Sequence, residues 1–157
     1  MGSSTFSGPI KAGTARDGAT ANSHPVVLTE KVTITYTAAA GTYDCDPIYI
    51  PTGSQIIDIL VDVETAWNAG TSTTVSVGSA SAGTQYAGSV DGKTAAGRIR
   101  PTFTGAQLTA MLSTAANTAA TTANGGVSTS LVQVTVISAG TDASAGQITT
   151  TIVYAQR

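Results

Sequence analysis

From Pro25 onward the chain alternates apolar and polar residues with a period of two, the pattern of strands that bury one face. Val26, Leu28, Val32, Ile34 and Tyr36 share one parity, and Thr29, Lys31, Thr33 and Thr35 share the other, with Glu30 a misfit on the apolar side. Threonine on the open face is itself a good strand former. The strongest segment is 54–67, where Ile57, Ile59, Val61 and Val63 alternate with Ile56, Asp58, Leu60, Asp62 and Glu64. The closing segments read the same way. Val132, Val134 and Val136 oppose Leu131, Gln133, Thr135 and Ile137, and Ile148, Ile152 and Tyr154 oppose Thr149, Thr151 and Val153.

Shorter strands are predicted around 43–50, 73–77 and 85–90, with Asp91-Gly92 a hairpin-type turn signal. Residues 98–103 read as an edge strand, because Pro101 cannot donate to a ladder. Thr104 can cap the one convincing helix, near 104–112, with Leu108, Met111 and Leu112 expected to face inward. Residues 113–127 form a Thr/Ala/Asn/Gly stretch too polar to pack. About eight short strands with Gly-rich turns predict an all-β, single-domain β-sandwich or jelly-roll-like fold over 24–157.

Residues 1–23 break the alternation. Phe6 and Ile10 stand among Gly, Ser, Thr and Ala, so this stretch is expected to be an extended N-terminal arm held by neighbouring protein.

Composition changes the picture in one respect. Only 10% of the 157 residues are charged, against a typical ~25%. So few charges defend poorly against association, a property suited to an assembly. A net charge of −2 leaves no footprint for nucleic acid or an anionic membrane. No apolar run approaches the ~20 residues of a membrane-spanning helix. Residues 1–9 lack the basic and apolar regions of a signal peptide, so synthesis in the cytoplasm is expected.

Candidate chemistry is sparse. His24, the one histidine, precedes Pro25 and reads as a loop residue rather than a catalytic base or ligand. Cys45 lies between Asp44 and Asp46, whose charge should raise its pKa and dull the thiol. Asp58, Asp62 and Glu64 share a strand face at spacings of ~13 and ~6.6 Å from the strand rise. A carboxylate pair could hydrolyse a glycoside or hold calcium, but neither the aromatic surroundings nor the calcium-loop spacing is present. No catalytic, metal-binding or cofactor residue is assigned, and the chain does not read as an enzyme. Arg98 and Arg100 share one strand face. They are expected to pair with Asp58, Asp62 or Glu64, within the chain or across a subunit contact, because Arg pairs bidentately with carboxylates. These five hold a large share of the chain's seven basic and nine acidic side chains.

Four segments carry a resemblance: Thr5–Thr14 (TFSGPIKAGT), Ile50–Asp62 (IPTGSQIIDILVD), Gly97–Thr104 (GRIRPTFT) and Val153–Arg157 (VYAQR). They resemble small virion proteins of tailed phages, usually described as head decoration or cement proteins. The stretch 16–23 departs from that pattern, which leaves the path of the arm open. The resemblance implies a non-enzymatic protein on the capsid exterior, commonly a homotrimer, whose partners are the major capsid protein and itself. The candidate interface residues are Phe6, Pro9, Ile10, Lys11 and Arg16 on the arm, with Arg98, Arg100, Asp58, Asp62 and Glu64 on the sheet. The alternative is a receptor- or carbohydrate-binding head fibre or spike module, which would need an exposed aromatic platform such as Trp67 with Tyr43 or Tyr86.

Overall fold

Among the described residues, nine strands and one helix build two antiparallel sheets around one core. A computed structural model describes residues 26–37, 41–114, 129–141 and 143–156. In chain order the elements are β1 (Val26–Thr35), β2 (Thr42–Asp44), β3 (Ile48–Pro51), β4 (Gln55–Thr65), β5 (Ser72–Gly78), β6 (Ala87–Asp91), β7 (Gly97–Ile99), α1 (Gly105–Leu112), β8 (Thr129–Ala139) and β9 (Gln147–Gln156). One sheet has the order β1-β9-β4-β7. The other runs β2-β8-β5-β6, with β3 beside β2 along the same edge of β8. Counting β2 and β3 as one broken strand gives eight, which switch sheets at every step except the β5–β6 hairpin, with the last two inside their sheets. That arrangement is a jelly roll.

The β2–β3 break has a local cause. Residues 43–50 read as one strand, but Pro47 lacks the ladder N–H and restricts Asp46 before it. Cys45 N–H still donates to Val134 O at 3.0 Å, so both halves follow β8. The inner faces interdigitate. Ile59, Val61, Ile148 and Ile152 from the first sheet meet Val75, Val77, Val132, Val134 and Val136 from the second, all buried.

Four expectations are corrected. In β4 the register shifts between Ile56 and Asp58, a β-bulge that turns Ile56 inward and leaves Ile57 exposed. The predicted apolar face therefore begins at Ile59. In α1 only Met111 is buried, while Leu108 and Leu112 face outward. The helix has just two turns and rests one side on β4, so a single inward position satisfies the contact. Its start is as expected: Thr104 and Gln107 form a reciprocal capping box.

Asp91-Gly92 does not close a two-residue hairpin. Asp91 accepts from Lys93 N–H and the Thr94 hydroxyl, and the turn carries the chain from β6 in one sheet to β7 in the other. The edge strand expected over 98–103 shortens to Gly97–Ile99.

Candidate functional site

The two ends of the sandwich differ in kind. At one end lie the 66–71, 92–96 and 140–146 loops, here the closed end. Trp67 is fully buried there, edge-on to Tyr36 and 4.9 Å from the Tyr43 ring. Asn68 accepts from the N–H groups of Ser144 and Ala145, and donates to the Ser144 hydroxyl. Lys93 Nζ donates to the carbonyls of Gly70 and Thr71, and Gly70 N–H reaches Thr141 O. These loop polar groups are tied to one another, while the indole Nε1 of Trp67 is buried without a hydrogen-bond partner.

The opposite, open end holds α1, the β3–β4 turn, the start of β1 and the end of β9. Five large apolar side chains are exposed among the described residues: Val27 57%, Tyr49 48%, Ile57 47%, Leu108 50% and Leu112 53%. Ile57, Leu108 and Leu112 line one open groove of about 260 Å³, floored by Ile56 and Met111. Val27 pairs with Ala155, which pairs with Gln55 beside that groove, and Tyr49 lies two residues before the end of β3. Scattered exposed apolar residues such as Val27 and Tyr49, on outward positions of opposite sheets, are ordinary, but the three that line one groove, Ile57, Leu108 and Leu112, mark a contact surface. The groove is anchored: Gly53 N–H donates to Thr114 O, Thr114 N–H donates to Ser54 O, and Gln107 Nε2 donates to Thr84 O.

The outer face of the first sheet carries the charges. Arg98 forks onto Asp62, with Nε–Oδ1 2.7 Å and Nη2–Oδ2 3.0 Å. Arg100 reaches diagonally to Asp58 with contacts of 3.2 and 2.7 Å. The Arg98 guanidinium holds the Asp62 carboxyl below the usual carboxylate range, with Lys31 assisting. Glu64 does not join an arginine. It accepts the Thr149 hydroxyl at 2.6 Å, and because that hydroxyl has one proton, Thr33 must donate in the 2.8 Å contact to Thr149. Both arginine forks are thus engaged within the chain, and each pair is solvated and of small energetic value.

Cys45 is half-buried. Its thiol is pushed up first by burial and then by Asp44 and Asp46, so charge repulsion is the lesser cause. Trp67, Tyr43 and Tyr86 are all buried, so the platform named for glycan binding, Trp67 with Tyr43 or Tyr86, is not on the surface. Among the described residues no three His, Cys, Asp or Glu side chains converge to hold a metal ion, and no helix is long and apolar enough to cross a membrane. Phe6, Pro9, Ile10, Lys11, Arg16 and His24 lie outside the described residues, as does the arm as a whole.

The sequence missed the groove because its walls come from a bulge and from a helix face that had been assigned to the core. The signal was present in the Ile56-Ile57 doublet, where either residue can take the buried parity. The chain matches no family model, and no curated protein or solved structure matches it.

Proposed function

We propose that the chain is a structural decoration protein of a phage capsid, acting through the surfaces it covers rather than by turnover. The observation that carries this reading is the clustering of exposed apolar side chains at one end of the sandwich, where the N-terminal 25 residues also join β1. Stable protein–protein contacts need an apolar centre of this kind, set in a surface poor in charge. The paired Arg and Asp side chains leave the neighbouring sheet face near neutral, which lowers the cost of covering it. The jelly roll agrees with a virion role only by fold-level analogy, since this frame hosts many functions. In this reading the open end faces the capsid subunit and neighbouring copies, and the arm tethers the protein to them. Many copies per shell make individually weak contacts cumulative.

The test is co-sedimentation with expanded capsids that lack the protein. The full chain should bind, and deletion of 1–23 should leave a folded β protein whose binding is at least ~10-fold weaker, a loss of ~1.4 kcal/mol or more. Undiminished capsid binding by the truncated chain would remove the arm from the account, and no binding by the full chain would remove the function.

A further inference from the structure

We infer that the groove between α1 and the start of β4 is the socket for the Phe6–Ile10 stretch of a second copy of this chain. This deepens the decoration reading and rests on it. The groove is lined by Ile57, Leu108 and Leu112 over a floor of Ile56 and Met111, and its three walls are each about half exposed. An apolar trough of this size takes two or three apolar side chains from a short extended segment.

Two stretches of chain outside the described residues begin or end at this face: 1–25, which runs into β1, and 115–128, which joins α1 to β8. The second is AANTAATTANGGVS, with Val127 as its one large aliphatic side chain, so it offers little to bury. The first contains Phe6 and Ile10 flanking Ser-Gly-Pro, and Lys11 follows at the rim. Burying Phe6 and Ile10 is worth ~1.5–3 kcal/mol each before ordering costs. The leader is therefore the better match in chemistry.

Chain length permits the neighbour as well as the same molecule, and the charge-poor surface, which defends weakly against association, favours the neighbour. Val26 sits two ladder spacings from Gln55, roughly 10 Å, through the pairs Val27–Ala155 and Ala155–Gln55. A connection within one molecule would need about three residues. Fifteen residues separate Ile10 from Val26, a reach of up to ~50 Å. A domain of this size is ~40 Å across, from a radius of gyration of ~15 Å. The leader is the length that reaches the next molecule's groove, and reciprocal or cyclic exchange of such leaders closes an oligomer.

The test uses the full chain and two variants. Leu108→Asp spoils the groove, and Phe6→Asp with Ile10→Asp spoils the leader. Sedimentation velocity should show self-association for the wild type and association at least about tenfold weaker for each variant alone, as the loss of one or two buried apolar side chains implies. An equimolar mixture of the two variants retains one intact leader and one intact groove per pair, so it should form one-to-one pairs. Trp67 emission, blue-shifted by burial, confirms that each variant is folded. A wild type that stays monomeric, a Leu108→Asp chain that associates like wild type, or a mixture that fails to pair would each overturn the inference. Capsid binding is read separately: a monomeric chain that still coats capsids would leave the decoration reading standing and sink only this one.

Discussion

The closed and open ends of the sandwich are made by the same eight-strand frame but finished in opposite ways. At the closed end the loops bury Trp67 among Tyr36 and Tyr43 and cross-link through Asn68, Lys93 and Gly70, leaving only the buried indole Nε1 of Trp67 among these groups without a hydrogen bond. At the open end a two-turn helix leaves Leu108 and Leu112 outward beside the bulged Ile57. The closed end buries its largest side chain, and the open end leaves three apolar side chains exposed in one groove. In the proposed reading the difference separates stability, held at the closed end, from recognition at the open one.

Substitutions should break that comparison most sharply at Trp67. Trp67→Ala removes a fully buried indole and should cost about 3–5 kcal/mol in chemical denaturation. Leu108→Ala, exposed on α1, should stay within about 0.5 kcal/mol of the wild type. Similar losses at both positions would mean that α1 belongs to the core. Gly146→Ala comes next. A Cβ at Gly146 would lie 2.3 Å from the Trp67 ring, so the indole or the backbone must move, and overpacking of this kind costs roughly 1–3 kcal/mol. Thermal unfolding of the variant measures it, and an unchanged transition would show that the indole has room to shift.

A smaller effect is expected at Cys45. Its folded thiol titrates above the ordinary range because of burial first and the flanking carboxylates second. The neutral thiol is the form the fold favours. Its contribution is fully present below ~pH 8.5 and is lost as pH rises through the higher folded value. Cys45→Ser should therefore flatten part of the alkaline loss of stability, and the wild-type thiol should react with iodoacetamide at pH 8 more slowly than glutathione does. Smallest of all is the Arg98–Asp62 pair. Asp62 titrates below its usual range through the Arg98 hydrogen bonds, so the pair's contribution is present above ~pH 4 and fades as pH falls through the depressed value. Asp62→Asn should shift the unfolding midpoint slightly at neutral pH and low salt, less and less as pH falls through the depressed value, and not at all at ~1 M salt.

The frame was legible because alternation over ten or more residues fixes which face of a strand is buried. β1 and, beyond its bulge, β4 follow that pattern, whereas the interior strands β8 and β9 are buried on both faces for much of their length and kept only the parity of their core-facing residues. The pairing of Arg98 and Arg100 with Asp62 and Asp58 was legible too, since five charges on two strands of a charge-poor chain have few other partners. What could not be read were the features that depend on a third body. Whether Leu108 and Leu112 are buried depends on whether anything packs on that side of α1, and an amphipathic pattern does not say. The bulge at Ile57 escaped because two adjacent isoleucines satisfy either register. Trp67 read equally well as a surface platform or a core residue, because its burial depends on Gly146 and Tyr43, which are distant in sequence.

Amide hydrogen exchange on the chain, free and bound to expanded capsids, tests the central distinction most directly. New protection should fall on the start of β1, on 53–57 and on 105–114, with the 66–71 and 140–146 loops unchanged. Protection gained at those loops, with the α1 face left as open as in the free protein, would contradict the assignment of the two ends.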